Sequence, residues 1–205
     1  MAVLRVGVLV SGGGTNLQAI IDAIERREIP AEIATVTSNV RTAYALQRAA
    51  QRGIRTCVID HHDFPDRTMF EQALIAEFDS QRVQLVCLAG FMRVLSPVFV
   101  HHFDQHIINI HPALLPAFKG LWGHHVHEAV IASGARFSGC SVHFVTEDVD
   151  AGPIIVQHVV PVLETDDAAT LAARVLVEEH KAYPEAIALC AGGKLRVTGN
   201  RVFTS

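Results

Sequence analysis

Apolar runs and amphipathic segments alternate along this chain. Residues 3–10 form a β-branched-rich apolar run that stops at Gly12-Gly13-Gly14, which predicts a strand. Thr15 is placed to cap a following helix, in which Leu17, Ile20, Ile21 and Ile24 recur at helical spacing. The pattern then predicts a strand over 33–37, a helix over 43–51 closed by Gly53, and a strand over 55–59. A helix over 67–78 carries Phe70, Leu74, Ile75 and Phe78 on one side. Residues 83–89 are nearly all apolar, the mark of a strand buried on both faces.

The later half changes style. A short strand over 106–110 leads into a long Pro/Gly-containing loop over 112–123. A helix near 124–132 follows, then strands over 140–145 and 154–160 separated by an acidic, turn-rich segment, 147–153. A helix over 168–189 covers the sheet, and 195–203 is a small terminal strand or hairpin. Strands alternating with helices of this size imply an α/β architecture with a mostly parallel sheet and right-handed crossovers. No linker, repeat or low-complexity tract interrupts it, so one domain is expected over 1–205.

Composition supports a packed core. Of 205 residues, 50% are hydrophobic and 19% charged, the reverse of the balance that keeps chains disordered. Lys plus Arg is 17 against 21 Asp plus Glu, a formal charge of −4, which argues against a general nucleic-acid or anionic-membrane binder. Cys57, Cys87, Cys140 and Cys190 form no Cys-x-x-Cys pair, which excludes a zinc ribbon or a dithiol redox motif. The N-terminal apolar run is too short for a spanning helix and lacks a basic leader region, so a cytoplasmic protein is expected.

Three places could carry chemistry. Ser11-Gly12-Gly13-Gly14-Thr15-Asn16 joins a strand to a helix, where close backbone approach and free amides suit an anion; a tight turn is the plainer reading. A dinucleotide fits poorly, because Leu17 occupies the third fingerprint glycine and Ser38-Asn39 offers no carboxylate for a ribose. A monophosphate fits better. Asn109 and His111 alternate onto one face at the end of a strand, where an amide donor beside an imidazole can stabilise an oxyanion and move a proton; a strand-end cap with a half-buried histidine is the alternative. Asp150, in the acidic turn, would raise the pKa of His111 and orient it if the two meet; otherwise it is a solvated turn residue. Arg93, after the glycine that ends the fourth strand, is either an anion contact or a surface arginine. His124, His125 and His127 invite a metal reading, but no His-Glu-x-x-His pattern supports it and no metal is expected.

These segments, with Leu88-Ala89-Gly90-Phe91-Met92-Arg93-Val94-Leu95-Ser96-Pro97, Ile108-Asn109-Ile110-His111-Pro112-Ala113-Leu114-Leu115-Pro116, Ser141-Val142-His143-Phe144-Val145-Thr146-Glu147-Asp148-Val149-Asp150-Ala151-Gly152 and Glu179-His180, resemble the folate-dependent glycinamide ribonucleotide formyltransferases. The likeness runs over residues 6–197 in order; the glycine loop is weakly specific and the other four segments together are very specific. It implies a single Rossmann-like domain with helices on both faces of the sheet. Phosphate-binding βαβ units would fill about 1–100, and the catalytic and folate-binding part about 101–205. It implies formyl transfer from 10-formyltetrahydrofolate, as co-substrate, to the amine of glycinamide ribonucleotide in purine (IMP) synthesis.

By the same resemblance Asn109, His111 and Asp150 match the catalytic trio. Gly12, Gly13, Gly14, Thr15 and Asn16 match the phosphate loop, and Glu179 matches a contact to the rest of that substrate. Arg67, Met92, Arg93, Val94, Leu95, Asn109, Thr146, Glu147, Asp148, Val149 and Asp150 match the folate-lining positions. Partners would be the two small molecules, with no nucleic acid, no membrane, and a monomer or homodimer. Two positions depart from the common pattern: Trp122, where many relatives carry His, and Leu176, where some carry a polar residue. Among relatives of one chemistry, a deformylase would bring an N-terminal domain and a methionyl-tRNA formyltransferase a C-terminal one, so the length favours the ribonucleotide enzyme. A non-catalytic binding module would not need the proton-transfer trio.

Overall fold

The computed structural model describes residues 3–204; Met1 and Ala2, on which part of the leader expectation rests, lie outside the described residues. The chain divides into two compact units, residues 1–109 and 110–205.

In the first unit the alternation resolves into β1 (Leu4–Val10), α1 (Thr15–Glu25), β2 (Ala31–Ser38), α2 (Tyr44–Gln51), β3 (Thr56–Val58), α3 (Arg67–Ser80), β4 (Leu85–Leu88), α4 (Pro97–His102) and the start of β5 (Ile107–His111), with a 3-10 turn at His61–Asp63. All four strand pairings are parallel, and the order is β3-β2-β1-β4-β5. Val6, Val8, Leu9 and Val10 are completely buried, as a sheet covered on both sides requires. Leu17 and Ile20 of α1 and Phe70, Leu74 and Phe78 of α3 are also buried, and Phe78, Phe99 and Phe103 pack ring against ring at 5.1–6.3 Å. Parallel register aligns Leu9 with Leu88 and Leu88 with Asn109, so Ser11, Asn39 and Gly90, just beyond neighbouring strands, and Asn109, near the end of β5, share one edge. That carboxyl edge is where open α/β sheets receive ligands.

Two features differ from the expectation. Gly14, not Thr15, is the N-cap of α1, in a left-handed conformation (φ 73°, ψ 36°) with no side-chain cap, and Thr15 is the first helical residue. The turn needs a positive φ that Thr15 would adopt only under strain. The α4 helix was not expected; at six residues it is too short for periodicity to reveal, although Pro97 at its first turn is a start signal.

The second unit holds α5 (His124–Ala132), β6 (Phe137–Phe144), β7 (Ile154–Pro161), α6 (Ala168–Ala191), β8 (Leu195–Thr198) and β9 (Arg201–Thr204). Here β6 and β7 are antiparallel, β9 joins β7 in parallel, and β8-β9 is the terminal hairpin. A bulge at Val142/His143 breaks the β6-β7 register beside the acidic turn. The α6 helix begins with a reciprocal capping box between Asp167 and Thr170 and buries Leu171, Val175, Tyr183 and Ile187.

Candidate active site

His111 ends β5 with its side chain only 4% exposed. Nδ1 lies 3.3 Å from Oδ2 of Asp150, and Nε2 lies 3.1 Å from the carbonyl oxygen of Phe118. The loop after β5 and the turn after β6 thus deliver an acceptor to each ring nitrogen. A neutral imidazole has one N–H, so either tautomer leaves a lone pair facing an oxygen; the imidazolium donates to both. Burial opposes that charge. The net result is a His111 pKa below its usual 6.5, pushed down by burial and pulled back by Asp150 and the Phe118 carbonyl. The expected upward pull of Asp150 is present, but burial outweighs it.

Asp150 is held from three sides. Gly120 N–H donates to Oδ2 at 2.9 Å, His111 approaches the same oxygen, and Nε2 of His143 lies 3.5 Å from Oδ1. Nδ1 of His143, on bulged β6, faces the Phe144 carbonyl at 2.8 Å, so this imidazole too has an oxygen at each ring nitrogen. Burial alone would raise the Asp150 carboxyl; His143, His111 and the Gly120 amide outweigh it and hold the group below its usual range. Asp150 adopts φ 52° and Phe118 φ 59°. They are the only non-glycine residues of the second unit with positive φ among the described residues, and both hold His111. Backbone strain of this kind clusters at functional sites in proteins. Asn109 precedes His111 by two residues on β5 and is half-buried.

In the first unit, the glycine loop leaves β1 under the grip of α2. Ala45 N–H donates to the Gly12 carbonyl at 3.0 Å and Arg48 Nε to the Gly13 carbonyl at 2.8 Å. A Cβ on Gly14 would fall 2.6 Å from the Cβ of Ala45, so only glycine fits there. The carbonyls of Gly12 and Gly13 are thus occupied within the protein and α1 starts directly after the loop; free amides at a helix start are groups that suit an anion.

On the same sheet edge, Met92 N–H donates to Ser11 Oγ at 2.9 Å, and Ser11 Oγ donates to Asn39 Oδ1 at 2.6 Å. Arg67 donates to Glu71 (Nε, 2.9 Å) and to the Val94 carbonyl, and Arg93 lies over the Phe70 ring at 5.7 Å. Met92 and Val94 are exposed while Leu95 is buried. In the second unit, Thr146 Oγ donates to the Asp148 carbonyl within the acidic turn, and Val149 is exposed. Glu179 is buried on α6; after burial, it is the next influence pushing the Cys140 thiol up to about 12.

The histidines near the loop do not gather. His124 and His125 face Glu128 at 3.5 and 3.0 Å, whereas His127 is buried. Among the described residues, Asp60, His61 and His62 bring potential ligand atoms within 4.8 Å of one another. There Arg41 pairs with Asp60 at 3.3 Å and the Asn39 amide nitrogen sits 3.5 Å from His61 Nδ1, so those atoms are already engaged.

A profile of the formyl transferase family matches residues 4–187. The chain belongs to the formyl transferase family. It is 43% identical over 197 residues to phosphoribosylglycinamide formyltransferase of Escherichia coli (strain K12), covering 96% of this chain and 92% of that protein. It is 49% identical over 194 residues to the trifunctional purine biosynthetic protein adenosine-3 of Drosophila pseudoobscura pseudoobscura, of whose length the match spans 14%. Glycinamide ribonucleotide transformylase 1 from Symbiobacterium toebii superposes with a TM-score of 0.95 at 46% identity, covering 99% of this chain and 94% of that one.

In this formyl transferase, sequence reasoning missed the residues that hold Asp150 and His111. His143 was legible as a lone imidazole on β6, and, in the first unit, Glu71, which holds Arg67, as an acid among the apolar positions of α3. Phe118 and Gly120 act through backbone groups, which side-chain chemistry does not announce.

Proposed function

We propose that this chain transfers the formyl group of 10-formyltetrahydrofolate to the amine of N1-(5-phosphoribosyl)glycinamide, giving formylglycinamide ribonucleotide and tetrahydrofolate in purine (IMP) synthesis. The observation that carries the reading is His111, buried between the Asp150 carboxylate and a carbonyl, in the family that the profile identifies.

The amine nitrogen attacks the formyl carbon, and the carbonyl electron pair moves onto oxygen. Asn109 donates to that oxyanion. His111, neutral before attack because burial lowers its pKa, takes the proton that the amine must lose. The new imidazolium then donates to the Asp150 carboxylate and the Phe118 carbonyl, both of which stabilise it. Collapse of the intermediate restores the carbonyl, breaks the bond to folate N10, and returns the proton from His111 to that nitrogen. The scheme calls on no metal.

Gly12, Gly13, Gly14, Thr15 and Asn16 hold the substrate phosphate, and Glu179 contacts the remainder of the ribonucleotide. Arg67, Met92, Arg93, Val94, Leu95, Asn109, Thr146, Glu147, Asp148, Val149 and Asp150 receive the folate. Both partners are small molecules, and the reading assigns the reaction to the cytoplasm; no helix among the described residues is long and apolar enough to cross a membrane. The test is an absorbance assay of 10-formyltetrahydrofolate consumption with and without the ribonucleotide. Consumption that depends on the ribonucleotide supports the transferase; equal consumption in its absence means that water is the acceptor and refutes it.

A further inference from the structure

The Glu71 side chain is 1% exposed, within the apolar side of α3, and its carboxylate is fully committed. Oε1 accepts from Arg67 Nε at 2.9 Å and from the Ser96 backbone N–H at 2.8 Å; Oε2 accepts from the Ser96 hydroxyl. Arg67 in turn donates from its terminal nitrogen to the Val94 carbonyl. Hydrogen bonds link Ser96 to Glu71, Glu71 to Arg67 and Arg67 to Val94, and the backbone from Val94 to Ser96 completes the ring. Ser96 occupies the N-cap of α4, yet its side chain makes no cap there, because its hydroxyl is spent on Glu71.

At its other end the same segment is tied to β1, through Met92 N–H to Ser11 Oγ at 2.9 Å and Ser11 N–H to the Gly90 carbonyl at 3.1 Å. The backbone from Gly90 to Ser96 is therefore anchored at both ends, while the Met92 and Val94 side chains are held out in solvent, 61% and 58% exposed. A carboxylate in an apolar layer is costly unless every lone pair is satisfied, and an apolar residue would pack α3 more simply. What the charge uniquely does here is fix one guanidinium and one stretch of backbone relative to each other.

We propose that Glu71 is a positioning residue for the co-substrate, holding Arg67 and residues 94–96 in the arrangement that receives the folate. The proposal rests on the formyl-transfer reading, which assigns Arg67 and Met92–Leu95 to that ligand. Glu71 acts through Arg67 and Ser96 and touches no reacting atom. Glu71→Gln keeps the shape and an acceptor for Ser96 but removes the charge that orients Arg67. Glu71→Met removes every acceptor at nearly constant volume. Charge-assisted hydrogen bonds of this kind correspond to roughly 10- to 100-fold in an equilibrium constant.

The experiment combines calorimetric titration of tetrahydrofolate with steady-state kinetics, on the wild type and both variants. The wild type is expected to bind tetrahydrofolate. Glu71→Gln is expected to weaken that binding and to raise KM for 10-formyltetrahydrofolate about 10-fold, and Glu71→Met by more. In both, kcat at saturation and KM for the ribonucleotide stay within about threefold of wild type. Wild-type binding with unchanged Kd and KM in folded Glu71→Gln overturns the positioning role alone. So does a fall in kcat or melting temperature with both folate constants unchanged, the signature of a purely structural residue. A wild type that binds no tetrahydrofolate overturns the folate reading itself and the proposal with it.

Discussion

Asp150 Oδ2 stands 3.3 Å from Nδ1 of His111, and Asp150 takes a left-handed backbone conformation to reach it. The opposite ring nitrogen meets Phe118, the other positive-φ residue of that unit. The imidazole is therefore oriented from both sides before any ligand arrives, which is the preorganisation that proton transfer requires.

The pH dependence follows from the direction of the His111 shift. Its folded pKa is depressed below 6.5 by burial, so the neutral base persists to lower pH than a free histidine allows. The acid limb of kcat/KM is expected below pH 6.5, with activity lost as pH falls through the depressed value. The same sign applies to stability: this group's contribution is present above the unfolded pKa and is lost as pH falls through the folded one. Asp150→Asn removes an influence that raises His111 and should move the acid limb of its residual activity to still lower pH. A limb that moves upward in that variant would contradict the assignment.

His143 steadies the far oxygen of Asp150 at 3.5 Å. Replacing it with Phe fills the buried site but removes the donor, freeing the carboxylate to rotate away from His111. The loss of one hydrogen bond to a charged group predicts a fall in kcat of roughly tenfold or more, with both KM values little changed. Steady-state kinetics on His143→Phe decides it; a rise in KM alone would point to a binding role instead.

Gly14→Ala places a methyl group 2.6 Å from Ala45 Cβ at φ 73°, so the loop or α2 must move. A destabilisation of about 1–3 kcal/mol is expected from the strain and overpacking. KM for the ribonucleotide should rise by more than that for folate. Thermal melting and paired KM measurements check both parts, and an unchanged ribonucleotide KM would detach the loop from phosphate binding.

In the first unit's core, Phe78 is fully buried and lies edge-on to Phe99 and Phe103 at 6.3 and 6.0 Å. Phe78→Ala should cost about 3–5 kcal/mol through the cavity it leaves. Denaturant unfolding measures this, and a loss below about 1 kcal/mol would mean that the cluster repacks freely.

The parallel part of the fold was readable because strand burial and helix periodicity each leave a local mark, as in residues 3–10 and 67–78. The cap of α1 was misread because Thr15 is a better capper by chemistry, whereas the turn is governed by the backbone angle at Gly14. Asn109 and His111 were legible from alternation on one strand. The relation of His111 to Asp150 was not, because it depends on the antiparallel return of β7, the bulge at His143 and the turn between. The resemblance named Asp150 as a partner, and the structure supplies the contact. The direction of the His111 pKa also escaped the sequence, which exposes neighbours but not the depth of burial that decides the sign.

The central claim is that Asp150 and His111 carry the proton transfer, a role beyond the contact that Asp150 makes with the folate. Its most direct test is single-turnover formyl transfer by wild type and Asp150→Asn at saturating concentrations of both substrates. The account predicts that the variant binds both with near wild-type affinity while the chemical step slows by about 10³-fold or more, the scale of a lost acid–base function. A variant that turns over at close to the wild-type rate would contradict it.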